Sequence, residues 1–333
     1  MSLEAISLCV KEEFVSFENR FRDCMPCGEG TIGLLTEHVL SQKGKRLRPL
    51  VSFLVAKACG QVTESTYRAA IILELLHTAS LVHDDVLDES DLRRDKPTIN
   101  RLWGNKTAIL FGDYIYGKCL HLIETKKDFE LLEIYSKVAR ELPQGELLQK
   151  DISESQDYGK ESYFRVIDRK TASLFGASAY IGAKTATEEK DYSFDAEQFG
   201  RLLGRAFQIR DDMLDFDMSS IGGKGFGNDI KEKKITLPLI FLLESLNESD
   251  RERLLGFIAR EDKTEREIIF NSKITKVGCS CGILPSDRIC TVINFTENYC
   301  NPGEILNAKE KSKYQTKTFS VSKESHTTTT TNV

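Results

Sequence analysis

Apolar side chains recur at three- and four-residue intervals through most of the chain, the period of an α-helix. Ile71, Leu75, Leu76, Ala79, Val82 and Val86 show it, as do Leu131, Ile134, Tyr135 and Val138, and later Phe199, Leu202, Leu203, Ala206 and Phe207. The spacing predicts helices over about 4–22, 31–42, 48–59, 64–88, 97–103, 106–124, 128–149, 160–182, 195–215 and 234–246. Breaks fall at Met25-Pro26, Gly28 to Gly30, Gly44, the charged stretch Glu89 to Lys96, and Gly222-Gly223 with Gly225 and Gly227. Strand-like alternation and Asn-Gly hairpin turns are absent. This pattern predicts an all-α fold, a single large antiparallel helix bundle without internal repeats.

Beyond about Thr264 the helical period fades. Cys279, Cys281, Cys290 and Cys300 crowd together there, and the end is polar, with a Thr327 to Thr331 run. The expected organisation is a helical domain over 1–264 and an atypical, poorly ordered segment over 265–333. Hydrophobic content of 40% with 29% charged residues is ordinary for a globular protein. The net charge of −5 argues against a nucleic-acid partner. No apolar run reaches the roughly 20 residues of a membrane span, and Met1 to Val10 lacks the pattern of a signal peptide. A cytoplasmic location is expected. Nine cysteines at irregular spacing do not form a secreted disulfide framework, and Cys24 and Cys27 have no second CxxC to complete a zinc site.

The densest local chemistry is Asp84-Asp85-Val86-Leu87-Asp88, at the end of a long apolar helix. Residues four apart share a helical face, so Asp84 and Asp88 point the same way. Paired carboxylates are hard oxygen ligands suited to Mg²⁺. Alone, such a cluster is more often a solvated helix end. Asp211-Asp212-Met213-Leu214-Asp215 repeats it at the end of another apolar helix. Two acidic helix ends at one mouth repel unless cations lie between them. Lys45, Arg46 and Arg48 in GKRLRP, Arg93-Arg94, Lys170-Thr171 and Lys224 add cations whose donors match phosphate.

These segments resemble the trans-isoprenyl diphosphate synthases, in particular the long-chain octaprenyl, heptaprenyl and solanesyl type. The stretch from Glu74 to Asp113 looks like the family's first aspartate-rich region. GKRLRP, Lys170-Thr171, Gln208 with DDMLDF, and GKGFGND followed by Lys234-Ile235-Thr236-Leu237-Pro238 match its other motifs in order. The resemblance implies a helix bundle around a central cavity. It also implies a Mg²⁺-dependent transferase, with three ions per site, that joins isopentenyl diphosphate to a geranyl- or farnesyl-type allylic diphosphate. Lys45, Arg48, His77 and Arg94 would hold isopentenyl diphosphate, and Arg93 the allylic diphosphate. Asp84, Asp88 and Asp211 would ligate the metal, with Asp85, Asp212 and Asp215 in support. Lys170, Thr171, Gln208, Lys224 and Lys234 would surround the leaving diphosphate. The released diphosphate would take the proton, so no side chain is assigned as general base.

Ala79 stands where short-chain members of the family carry an aromatic stopper, although Ser80 lies nearer the Asp84 face and Leu76 is the next residue down. With bulky residues of Phe111 to Leu122 as a floor, this implies a long product. A homodimer is implied by the resemblance alone. A class I terpene cyclase and a non-catalytic subunit of a heteromeric synthase are the rival readings. Consumption of isopentenyl diphosphate separates the synthase reading from the cyclase.

Overall fold

The computed structural model describes residues 6–25, 29–42, 44–186, 191–216, 228–234, 236–260 and 262–263. Helix α1 (Lys11–Cys24) buries Phe17 and Phe21, whose rings stack 5.6 Å apart, and Phe17 meets Phe53 edge-on at 5.7 Å. Phe53 lies on α3 (Leu47–Cys59), which follows α2 (Thr31–Ser41). Helix α4 (Glu64–Leu87) starts at a capping box in which Thr63 and Thr66 each accept the other's backbone N–H. Its 24 residues span roughly 36 Å. Consecutive residues from Ala69 to Leu76 are all buried, so α4 is enclosed on every side rather than amphipathic. It runs through the middle of the molecule and delivers Asp84 to Asp88 at its far end.

After α4 come α5 (Ile99–Trp103), α6 (Asn105–Glu124) and α7 (Phe129–Ser155), the last started by the Asp128 side chain accepting the Leu131 N–H at 3.1 Å. Helix α8 (Lys160–Ile167) passes through a π-helical turn (Asp168–Ala172) into α9 (Ser173–Lys184). Helix α10 (Ser193–Asp215) carries the second aspartate cluster at its end. The described chain closes with α11 (Asn228–Lys231), α12 (Leu237–Ser245) and α13 (Glu248–Ala259).

Helix α10 packs against α9 and the π turn before it with the backbones almost touching. A Cβ on Gly204 would lie 2.6 Å from the Ala172 Cα, and one on Gly200 would collide with the Phe175 carbonyl. On the other side of α9, the Ser52 hydroxyl of α3 donates to the Ser178 carbonyl at 2.9 Å. The second aspartate cluster is therefore carried on a helix locked to the bundle interior.

The expected all-helical bundle is present, and most predicted helices agree within a few residues. Three differences have physical causes. The predicted 160–182 helix is α8 and α9 joined by the π turn, a widened turn that keeps the chain helical from end to end. Helix α13 was not expected: its charged start hides an Asn247 cap and a buried Leu254 and Ile258. The charged stretch after α4, expected as a loop, holds a two-residue hairpin. Strands β1 (Leu92–Arg93) and β2 (Lys96–Pro97) pair antiparallel, Leu92 with Pro97 and Arg93 with Lys96. Its turn residues Arg94 and Asp95 take φ of 51° and 63°, the left-handed conformation of a type I′ turn normally marked by Asn-Gly. Lys224, Cys27, the glycine-rich loop and the segment from 264 onward lie outside the described residues. Among those described, no helix is long and apolar enough to cross a membrane.

Candidate active site

The ends of α4 and α10 open onto one cavity of about 300 Å³. Asp84 and Asp88 line it from α4, and Asp211, Asp212 and Gln208 from α10. The π turn contributes Lys170 and Thr171, the hairpin Arg93, and the segment after α11 Lys234. Residues of both sequence-predicted acidic clusters and three of the predicted cations thus share a wall. Leu81, Ile152, Val166, Ile167 and Ile240 supply apolar lining.

A helix turns about 100° per residue, so neighbouring aspartates diverge. Asp84 and Asp88 face the cavity, whereas Asp85 is only 5% exposed and accepts the Arg93 Nε–H at 2.7 Å. Asp212, also 5% exposed, accepts from the Tyr163 hydroxyl at 2.5 Å and from Gln208 Nε2 at 2.8 Å. Gln208 Oε1 in turn accepts from the Thr171 hydroxyl at 2.6 Å. Asp215 lies off the cavity wall and accepts the Asp229 backbone N–H at 3.2 Å. In each cluster, then, the second aspartate is tied to a protein donor while the first faces the open space.

Lys170 Nζ lies 2.7 Å from Glu146 and 3.3 Å from Gln149 Oε1, both on α7. That approach depends on Gly145, where a Cβ would come within 2.9 Å of the Lys170 backbone nitrogen. Lys234 Nζ reaches Asp88 at 3.2 Å and Glu232 at 2.5 Å; these carboxylates hold its pKa up against the opposing effect of burial.

The acidic side is under-compensated. Burial, with Glu146 and Asp88 nearby, pushes Asp84 up to about 7 despite Lys170. Burial raises Asp212 to about 6 even though Tyr163 and Gln208 stabilise its charge. Asp211 is raised by burial, with Lys45 acting the other way. Asp229 is held far above the usual carboxylate range by burial and by Asp215 and Asp212. Carboxylates buried with too little positive charge are what a divalent cation relieves. Among the described residues no three such side chains converge to hold an ion alone. One or two carboxylates completed by water and substrate oxygens is the usual surrounding of Mg²⁺, and the donors here fit it.

On the other face of the α4 end, a smaller cavity of about 30 Å³ is lined by Arg46, His77, Arg93, Arg94 and Glu74. Beside it Arg48 Nη1 donates to His77 Nε2 at 2.9 Å, and the guanidinium lies 4.8 Å from the Phe175 ring centre. Burial pushes Arg48 down to about 10 and, with the four surrounding arginines, holds His77 well below the usual histidine value. His77 is therefore a neutral acceptor, and Arg48 Nε has no hydrogen-bond partner among the described residues. Arg94 lies against Gly44, where a Cβ would fall 2.5 Å from its Nη1, and donates to the Gln42 carbonyl at 3.1 Å. Lys45 is exposed on the Asp211 side. Arg46 instead serves the scaffold: it pairs with Glu74 at 2.8 Å and stacks 4.3 Å from the Phe21 ring centre.

The chain-length residues are placed differently from the cavity groups. Ala79 and Leu76 are fully buried in the main core with Phe111, Ile115 and Cys119. Ser80 is half-buried and donates to the His77 carbonyl at 2.9 Å. None of the three is on the cavity wall. Sequence reasoning missed Tyr163, Glu146, Gln149 and Asp229. Only Asp229 carried a signal, its place in GKGFGND; the others are recognisable solely by what they touch across the bundle.

A helical bundle with two aspartate-rich helix ends and fixed cations about one cavity has the architecture of an isoprenoid synthase. The chain belongs to the polyprenyl synthetase family, whose sequence pattern matches residues 30–273. It is 34% identical over 261 residues to an all-trans-nonaprenyl-diphosphate synthase (geranyl-diphosphate specific) of Rhodobacter capsulatus, covering 78% of this chain and 80% of that one. It is 35% identical over 241 residues to the octaprenyl diphosphate synthase of Escherichia coli K12, covering 72% and 75%. A crystal structure of a polyprenyl synthase from Caulobacter crescentus CB15, complexed with calcium and isoprenyl diphosphate, superposes with a TM-score of 0.73 at 31% identity, covering 83% of this chain and 87% of that one.

Proposed function

We propose that this protein is a Mg²⁺-dependent trans-polyprenyl diphosphate synthase that condenses isopentenyl diphosphate with an allylic diphosphate to give a long all-trans chain. The observation that carries this reading is the convergence of Asp84, Asp88 and Asp211 on one cavity beside Lys170, Arg93 and Lys234. The named relatives, and the calcium and isoprenyl diphosphate of the Caulobacter structure, support it.

The allylic diphosphate lies in the larger cavity, its charge met by Arg93, Lys170 and Lys234, with Lys224 assigned by its motif. Asp84, Asp88 and Asp211 would hold three Mg²⁺ ions, which when bound would add charge stabilisation for the leaving diphosphate. The allylic C–O bond breaks and the diphosphate leaves with the electron pair. Fixed cations stabilise the charge that develops on the leaving oxygens. Isopentenyl diphosphate is held by Lys45, Arg48, His77 and Arg94, and its double bond forms the new C–C bond. A proton then passes to the released diphosphate. The apolar wall of Leu81, Ile152 and Ile240 keeps water from the cation.

Two adjoining pockets that share Arg93, one rich in carboxylates and one in arginines, favour condensation over cyclisation of a single substrate. The retained aspartates argue against a non-catalytic subunit. The reading includes a cytoplasmic homodimer, and the exposed Ile109, Leu110 and Tyr114 on α6 with Leu102 on α5 offer apolar surface for it. Labelled isopentenyl diphosphate, geranyl and farnesyl primers, Mg²⁺ and chromatography of dephosphorylated products test the function. Extended products are expected; label that stays entirely in the five-carbon compound refutes it.

A further inference from the structure

Asp212 is the acidic residue of the site whose two oxygens are both taken by neutral protein donors, one of them a tyrosine 49 positions away in sequence. Tyr163 is 6% exposed, packed with Ile167, Leu237 and Ile240, and edge-on to Phe164 at 5.4 Å. A phenol in that setting is protonated and presents one hydrogen. It donates to Asp212 Oδ2, which leaves Oδ1 for Gln208. An ionised carboxylate only accepts, so the Gln208 amide must turn its nitrogen towards Asp212 and its oxygen towards Thr171. The Thr171 hydroxyl spends its single hydrogen on that oxygen. The chain of three bonds leaves one Gln208 N–H for a ligand, and Gln208 and Thr171 both line the cavity.

We propose that Tyr163 is a positioning residue for the condensation: through Asp212 it fixes the polarity of the Gln208 amide, so that Gln208 meets the leaving diphosphate with an N–H and not with its carbonyl oxygen. This rests on the diphosphate reading of the cavity. Tyr163 borders the cavity, but its one hydroxyl hydrogen is committed to Asp212, so it acts through that carboxylate. Without its hydroxyl, Asp212 keeps the Leu237 backbone N–H and the Gln208 amide but loses the donor that fixes Oδ2, so the carboxylate is less restrained and Gln208 samples the flipped amide that repels phosphate oxygens.

The test is Tyr163→Phe, which removes one oxygen and keeps the ring packing. Calorimetric titration with inorganic diphosphate in Mg²⁺ should show a Kd raised about tenfold or more, the usual effect of losing a hydrogen bond to a charged group. In the condensation assay kcat should fall comparably, while KM for isopentenyl diphosphate stays within about twofold, since that substrate meets different residues. Asp212→Asn keeps the phenol and should weaken diphosphate binding alike; in that background Tyr163→Phe should cost less than about twofold more, because the two act as one unit. Unchanged diphosphate affinity in either single variant overturns the proposal, and so do equal losses from Tyr163→Phe in both backgrounds. Joint loss of diphosphate affinity and of KM for isopentenyl diphosphate also overturns it, because general loosening then explains the effect. Wild-type protein that binds diphosphate but consumes no isopentenyl diphosphate sinks the condensation reading and leaves the role of Tyr163 to be decided by the titration.

Discussion

Asp84 combines a half-buried carboxylate with two acidic neighbours, and its pKa near 7 in the folded chain contrasts with the ordinary value near 4. Between those values the folded protein holds more protons at this position than the unfolded chain does. The metal-free protein therefore loses stability as pH rises from about 4 to 7, and more charge at the site makes it worse. Asp84→Asn should flatten that pH dependence of the melting temperature and raise it at pH 8 without metal, while cutting turnover by orders of magnitude. Melting curves in chelator, with the condensation assay alongside, check both. Wild-type-like turnover would remove Asp84 from the metal site. The spacing of four between Asp84 and Asp88 made their shared face legible in the sequence. That Asp85 and Asp212 diverge from them follows from the same helical geometry, but what holds them was not legible, because Arg93 and Tyr163 reach them only once the hairpin and α8 have docked.

Among the elements, the long helices were legible because their apolar period persists over several turns. The π turn was not: a widened turn leaves composition unchanged. Yet it brings Lys170 and Thr171 onto the cavity, opposite a backbone gap at Gly145. Gly145→Ala places a methyl 2.9 Å from the Lys170 nitrogen, which cannot move without shifting the turn. It should cost about 1–3 kcal/mol of stability by overpacking and lower kcat more than KM for isopentenyl diphosphate. Denaturant melts and steady-state kinetics report the two effects. The hairpin was equally hidden, since Arg94 and Asp95 occupy the left-handed turn positions without a glycine. Its partner glycine lies elsewhere, at Gly44. Gly44→Ala pushes on the Arg94 guanidinium, and the expected outcome is a raised KM for isopentenyl diphosphate with kcat little changed.

For the molecule as a whole, the helix bundle followed from periodicity and the shared site from the repeated acidic motif. Product length is a property of the space beneath α4, and here the residues sort by facing. Ala79 is enclosed in the core, so Ala79→Tyr should lower the melting temperature through overpacking. Ser80 lies one turn before Asp84 on its face, and Ser80→Phe is expected to shorten the product without comparable loss of stability. Chromatography of the two variants' products decides between the positions; an unaltered length distribution in Ser80→Phe would discard Ser80 as a determinant.

The near-contact of backbones between α9 and α10 has a consequence for inheritance of damage. Gly200 and Gly204 lie off the cavity wall, but they set how far the Asp211 helix stands from its neighbour. Any larger side chain at either glycine wedges that seam apart and carries Asp211 away from Asp84. Loss-of-activity alleles in this enzyme should therefore cluster along a dry interface as well as around the pocket, and extra Mg²⁺ will not rescue them.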